Sequence, residues 1–287
     1  MITSHAPVHC PADLAEALAL RAAHPEAMPL AGGTDVMVFV ESGTLSPPAF
    51  LNLWGLAELR GVQADGDGLR IGALCTYTEL EADARVQATA PALVEAARTV
   101  GAKQIQNRGT LAGNVANASP AGDSLPVLLA LDAQVEVASV RGTRRVPMDA
   151  LYTGYRKLAL APDELITAIC LPARHPADVQ YYRKVGTRLA QAISKVMLGG
   201  RLRIEGGVVT EARVAFGSVA AFPVRARTVE AALVGRPVDA AAADLVGADI
   251  KPIDDIRSTA TYRLEVARRI LQGWLAAVAA EDASSSR

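Results

Sequence analysis

Two segments carry residue types and spacings suited to chemistry. In Ala31-Gly32-Gly33-Thr34-Asp35 a glycine pair follows a short apolar run, Met28 to Ala31. Such a pair lets consecutive backbone N–H groups converge on one point as an anion-binding concavity, with the Thr34 hydroxyl as an added donor. The same residues also suit a tight turn in which Thr34 or Asp35 caps a short helix, and the segment alone leaves both readings open. The second segment, Arg108 to Asp123, is dominated by Gly, Ala, Ser, Thr and Asn, with one Arg and one Asp. It reads as a long loop, a poor core helix or strand, whose small side chains let backbone approach a flat or phosphorylated ligand. Asp123 can accept hydrogen bonds from ribose or ribityl hydroxyls. A purely structural loop is the alternative, but loops of this length are usually functional or disordered, and the sparse charge argues against disorder.

Familiar catalytic patterns are missing. No G-x-G-x-x-G follows a strand, and neither a G-x-x-x-x-G-K-[ST] loop nor a G-x-S-x-G elbow occurs. His5-x-x-x-His9-Cys10 has a spacing that could touch a metal, yet no carboxylate joins it and a surface role is the better reading. His24 reads as a helix end and His175 as a linker residue. Lys184, in Tyr181-Tyr182-Arg183-Lys184-Val185-Gly186-Thr187-Arg188, suits a cation near a phosphate or flavin edge, or a solvated strand edge. Asp254-Asp255-Ile256-Arg257-Ser258-Thr259 suits a capped helix entrance or a partner-facing surface. With no base, nucleophile or metal site, the pattern points to a bound cofactor that brings its own chemistry.

The elements around these segments alternate at first. Asp13 is placed to cap a helix carrying Leu14, Ala17, Leu18 and Ala22, closed by His24-Pro25. Strands are expected at Met28 to Ala31 and Phe50 to Leu53, with Val36 to Val40 too short to assign. Leu69 to Leu74 alternates as a strand after Asp65-Gly66-Asp67-Gly68; helices are expected near Thr78 and from Pro91 to Val100. Further strands are read at Gln134 to Ala138 and Leu165 to Leu171, and Ala173 to Val179 reads as a linker. Beyond it come strands at Val179 to Val185, Gly199 to Ile204 and Val208 to Val219, with a hairpin at Glu205-Gly206-Gly207. Val224 to Leu233 suits a helix. In the last helix Leu264, Ala267, Ile270, Leu271, Trp274, Leu275 and Val278 share a face behind a Ser258 or Thr259 cap.

Composition bounds the answer. The chain has 287 residues, 29 Lys and Arg against 30 Asp and Glu, and a net charge of −1. That length suggests about two domains, and the neutral balance argues against nucleic-acid binding. Hydrophobic residues make up 51% of the chain, aromatics only 4%. No apolar run reaches the roughly 18 residues of a membrane span. The cysteines, Cys10, Cys75 and Cys170, form no CxxC pair, which disfavours zinc ribbons, thioredoxin chemistry and iron–sulfur ligation in this chain. With no basic or apolar leader at the start, a cytoplasmic location is expected.

Ala31-Gly32-Gly33-Thr34-Asp35, then Thr110-Leu111-Ala112-Gly113-Asn114 and Ala118-Ser119-Pro120-Ala121-Gly122-Asp123, together resemble the FAD-binding medium subunit of molybdenum hydroxylases. This is the xanthine dehydrogenase, aldehyde oxidoreductase and carbon monoxide dehydrogenase group. Arg183 to Arg188, Gln191 to Val196 and Asp254 to Tyr262 are similar to that family's C-terminal domain, so the resemblance spans nearly the whole chain in order.

The resemblance implies an α+β chain: a PCMH, or vanillyl-alcohol-oxidase-type, FAD-binding domain of two α/β subdomains, followed by a smaller CO-dehydrogenase-flavoprotein-type C-terminal domain. The expected boundaries are 1–175 (subdomains about 1–60 and 61–175), 176–282 and a tail at 283–287. FAD is expected over Pro29, Leu30, Ala31, Gly32, Gly33, Thr34, Asp35 and Val36, with Thr110, Gly113, Asn114, Ser119 and Asp123 as further contacts. Ile166 and Lys184 are expected nearby, and Val100 and Ala116 as apolar contacts. The implied partners are a large molybdenum-cofactor subunit and a small subunit with 2Fe-2S clusters, arranged as a dimer of heterotrimers. Electrons would pass through FAD to NAD⁺, O₂ or another carrier, from a xanthine- or aldehyde-like substrate oxidised on the large subunit. One branch, similar to 4-hydroxybenzoyl-CoA reductase, inserts a cysteine-rich loop that three dispersed cysteines exclude here. A self-sufficient flavin oxidase or dehydrogenase of the same fold, and a non-catalytic binding or assembly protein, are the alternatives.

Overall fold

The computed structural model describes residues 6–285. His5, and with it the His-x-x-x-His spacing, lies outside the described residues, as do positions 286 and 287 of the expected tail. Strands β1 (Val8–His9), β2 (Met28–Leu30) and β3 (Phe50–Asn52) form a parallel sheet in the order β1-β3-β2. The helix Leu14–Ala23 crosses between β1 and β2, and the Asp13 side chain accepts from the Glu16 N–H at 2.8 Å, the cap that the sequence suggests. Val36–Glu41, unassigned from sequence, is a short helix with Asp35 at its N-cap position but without a side-chain cap bond. The end of β2 therefore runs straight into Ala31–Asp35, at the carboxyl ends of parallel strands where α/β folds bind ligands.

Next come β4 (Val62–Asp65), β5 (Gly68–Gly72), β6 (Gln134–Ser139), β7 (Gly142–Pro147), the small pair β8 (Tyr152–Gly154) and β9 (Lys157–Leu158), and β10 (Leu165–Leu171). Five of them form an antiparallel sheet, β4-β5-β10-β6-β7. All of β10 is buried, which explains its near-continuous apolar run. Its one hydroxyl, on Thr167, donates to Glu136 Oε1 at 2.9 Å, and Arg70 donates to the same oxygen at 2.7 Å.

The Arg108–Asp123 segment corrects the expectation of one irregular loop. Leu111–Asn117 is a helix whose Thr110 Oγ1 accepts from the Gly113 N–H at 3.0 Å. Leu111, Ala112 and Val115 bury one face against β10, and the helix stops at Ala118, with φ 51°. A cap and three apolar residues on one stripe outweigh the weak propensities of Gly113 and Asn114.

The C-terminal unit is an antiparallel sheet of β11 (Asp178–Val185), β12 (Val196–Glu205), β13 (Val208–Gly217) and β14 (Val224–Arg225). The β12–β13 hairpin turns on Gly206-Gly207, both at positive φ (59° and 76°), as a type I′ turn requires. Val224–Leu233 is not all helix: Val224–Arg225 pairs with β13 before the helix Arg227–Leu233 begins. The last helix, Ala260–Ser285, buries Ala267, Leu271, Trp274, Leu275 and Val278, while Leu264 stays 39% exposed. Thr259 Oγ1 accepts from the Tyr262 N–H, consistent with the expected cap.

The two units pack closely. A Cβ on Gly199 would sit 2.6 Å from the Pro126 carbonyl carbon, and one on Gly200 2.2 Å from the Trp274 ring. Strand β12 is thus pressed between the helix Leu125–Ala130 and the last helix. Asp132 accepts from Arg201 at 2.7 Å, Arg213 at 2.8 Å and Arg225 at 3.3 Å, tying three strands of the second sheet to the loop before β6.

Candidate functional site

The Ala31–Asp35 turn meets the Arg108 backbone in close contact, and its Gly33 carbonyl accepts from the Met37 N–H at 3.0 Å. A Cβ on Gly32 would lie 1.7 Å from the Arg108 carbonyl oxygen, so only glycine lets the two backbones meet. Gly33 takes φ +76°, the left-handed conformation from which anion-binding nests are built. The backbone N–H groups of Gly32, Gly33, Thr34 and Asp35 donate to no acceptor among the described residues. Thr34 Oγ1 lies 3.4 Å from the Cβ that Gly109 would carry, beside this row of donors.

A side-chain bridge joins this turn to the second segment. Asn117 Nδ2 donates to Asp35 Oδ2 at 2.7 Å, and Arg156 Nη1 donates to Asn117 Oδ1 at 2.8 Å. Desolvation raises the Asp35 carboxyl above its ordinary value, with Arg156 opposing the rise. From Ala118 the chain doubles back through Ser119, whose Oγ accepts from the Ala121 N–H at 3.3 Å, to Asp123. Asn114 Oδ1 accepts from Ser124 Oγ at 2.7 Å, fixing the start of the helix against the end of the turn.

Asp123 is the electrostatic centre. Its Oδ2 accepts from Lys184 Nζ at 2.6 Å, and the same ammonium donates to the Thr99 carbonyl at 2.9 Å. Burial pushes the Asp123 carboxyl up to about 6, with the Lys184 charge and hydrogen bond opposing it. Asp123 Oδ1 is buried and accepts nothing, and the Tyr77 hydroxyl is likewise buried without a partner. Such orphaned atoms cost on the order of 1–3 kcal/mol each unless a ligand satisfies them. The open amides offer donors for a diphosphate, and Asp123 Oδ1 offers an acceptor for hydroxyl or ring N–H groups. The residues present therefore fit a flavin dinucleotide.

Most of the expected site residues come together here. Pro29 and Leu30 end β2; Ala31, Gly32, Gly33 and Thr34 form the turn; Asp35 and Val36 open the short helix. Thr110, Gly113 and Asn114 form the first turn of the facing helix, Ser119 and Asp123 its exit, and Lys184 reaches in from β11. Val100 follows Thr99, and its carbonyl accepts from Gln106 Nε2 at 3.2 Å. Ile166 is buried in β10, which packs against the helix, and Ala116 stands on the helix's exposed side. Sequence reasoning missed Asn117, Arg156, Thr99 and Tyr77. Asn117 lies inside the Arg108–Asp123 segment, while the others join the cluster only through packing.

Among the described residues no group of three or more His, Cys, Asp or Glu is placed to hold a metal, and no helix is long and apolar enough to cross a membrane. The three cysteines are free. Burial pushes the Cys75 thiol up to about 12 and the Cys170 thiol to about 11, leaving both unreactive.

Comparison with known proteins identifies the two domains. Residues 3–174 match the FAD binding domain in molybdopterin dehydrogenase, and residues 180–278 the CO dehydrogenase flavoprotein C-terminal domain. The chain is 34% identical over 264 residues to the xanthine dehydrogenase FAD-binding subunit of Escherichia coli, covering 90% of each. It superposes on carbon monoxide dehydrogenase from Hydrogenophaga pseudoflava with a TM-score of 0.91 at 29% identity, covering 95% of this chain and 96% of that one. Quinoline 2-oxidoreductase from Pseudomonas putida gives 0.91 at 26% identity, covering 98% and 99%.

Proposed function

The chain belongs to the FAD-binding medium-subunit family of the molybdenum hydroxylases, and we propose that it is the electron-exit subunit of such a complex. Its partners in this reading are a large subunit carrying the molybdenum cofactor and a small subunit carrying 2Fe-2S clusters, assembled as a dimer of heterotrimers. FAD held by the Gly32–Asp35 turn and Asp123 would supply the chemistry that links one-electron clusters to an acceptor such as NAD⁺, O₂ or another carrier. The substrate, xanthine- or purine-like or aldehyde-like, is oxidised on the large subunit. The similarity to a xanthine dehydrogenase subunit favours the purine class.

The observation that carries the reading is the pairing of a row of open amides, Gly32 to Asp35, with the orphaned acceptor Asp123 Oδ1. In this assignment the turn grips the diphosphate, and Thr110, Gly113, Asn114 and Ser119 line the path between. Asp123 accepts from the flavin half while Lys184 keeps that carboxylate charged. Val100, Ala116 and Ile166 supply apolar contact. We place the domain boundary at 175/176, supported by family matches that stop at 174 and resume at 180. Free, unpaired cysteines support a cytoplasmic location.

The similarity over 90% of an FAD-binding subunit favours a relay over a self-sufficient oxidase. Purification from the native host tests the reading. Co-elution with molybdenum and iron–sulfur subunits is expected, together with reduction of the flavin by a purine or aldehyde only in the complex. Isolated chain whose flavin an organic substrate bleaches without partners would overturn it.

A further inference from the structure

Beside the turn stands a platform that the expected contacts leave out. Arg108 lays its guanidinium 4.0 Å from the centroid of the Trp54 ring, and Arg60 lays its own at 4.6 Å from the same centroid. Arg60 is tethered by the Trp54 carbonyl, which accepts from its Nη2 at 2.7 Å. Arg108 makes no hydrogen bond through its side chain, and neither cation has a carboxylate within ion-pair distance among the described residues. Asp35, the acid in the adjoining turn, is already engaged by Asn117. Two like charges on one indole without an acidic partner repel, and an anion between or beside them removes that cost.

The position of the platform selects the anion. The Arg108 carbonyl is the atom that Gly32 touches, so the guanidinium springs from the residue packed against the open amides. Trp54 lies two residues beyond β3, and β3 pairs with β2, so the indole sits at the same strand ends as the turn. We propose that Arg108, pre-positioned on Trp54, grips the adenosine diphosphate half of the flavin dinucleotide. The proposal rests on the FAD site assigned above. A guanidinium already fixed by stacking loses little freedom on pairing, and it offers a fork of donors to phosphate oxygens or a plane to the adenine.

Titrating the purified full chain with FAD, ADP and riboflavin, at low and moderate salt, tests this. Arg108→Gln is expected to raise the FAD Kd about tenfold or more, to abolish competition by ADP and to flatten the salt dependence. Riboflavin binding should stay at the wild-type level. Arg108→Lys, which keeps the charge but loses the stacked plane, should fall between, and its circular dichroism should match wild type. Unchanged FAD and ADP binding in Arg108→Gln would overturn the proposal while leaving the FAD site standing. Loss of riboflavin binding as well would overturn it in favour of a structural role. Wild-type chain that binds no FAD would overturn both.

Discussion

Lys184 Nζ lies 2.6 Å from Asp123 Oδ2, and the two side chains are only 8% and 10% exposed. The pair joins β11 of the second unit to the turn after the Leu111–Asn117 helix, and it leaves Asp123 Oδ1 without a partner. A buried pair of this kind contributes little net stability but is costly to break from one side. Its use here is to hold a charged acceptor at the cofactor while fastening the two units across it.

Asp123→Asn removes the charge that faces Lys184 and weakens the acceptor. FAD binding should weaken by about 1.5–3 kcal/mol, the worth of a charge-assisted hydrogen bond, or on the order of tenfold to a hundredfold in Kd. Flavin fluorescence titration reads the change.

Protonation of the same carboxylate sets a pH dependence. Its value in the folded chain is about 6, above the ordinary 3.8, so the proton binds more tightly in the folded apoprotein. Between these two values the apoprotein therefore loses this group's contribution to stability as pH rises. FAD affinity runs the other way if the ionised oxygen is the acceptor: it should be constant above about 6 and fall as pH drops below it. The groups facing Asp123 are Lys184, Tyr182 and Tyr77, and burial pushes both phenols upward, so neither ionises in this range. FAD Kd measured across this interval should bend near the Asp123 value in wild type and lose the bend in Asp123→Asn.

Gly32→Ala should cost cofactor more than fold. The added methyl would stand 1.7 Å from the Arg108 carbonyl oxygen, which forces the Arg108 backbone away from the turn. FAD content after purification should fall at least about tenfold, since the site depends on that contact. The main core elsewhere is untouched, so circular dichroism should stay at the wild-type level.

In the larger sheet, Glu136 Oε1 accepts from Arg70 and from Thr167. Burial raises its carboxyl, but the hydrogen bonds from Arg70 and Thr167 and the charges of Arg70 and Arg145 outweigh burial and hold it below its ordinary value. Its contribution to stability is therefore present above the ordinary carboxyl range and lost as pH falls through the lowered value. Glu136→Gln should destabilise by about 1–3 kcal/mol in urea at neutral pH, with the gap to wild type closing under acid.

Local signals made part of this legible from sequence. Asp13 caps as its position before an apolar stripe suggests, and the glycine pair after β2 marked the turn. The Arg108–Asp123 segment misled because its Gly and Asn content masked a Thr110 cap and the buried stripe of Leu111, Ala112 and Val115. Thr76 and Glu79, at three-residue spacing, form the capping box that starts the helix expected near Thr78. The Asp123–Lys184 pair spans 61 residues and the Arg108–Trp54 stack 54, so only tertiary packing creates them. What stayed hidden is the part of the site that depends on two units meeting.

The most direct test is stoichiometric FAD titration of the purified full chain, wild type against Gly32→Ala with Asp123→Asn, followed by quenching of flavin fluorescence. Saturable binding at one FAD per chain is expected in wild type and its loss in the double variant, with both proteins folded by circular dichroism. FAD binding of equal affinity and stoichiometry in the two proteins would contradict it.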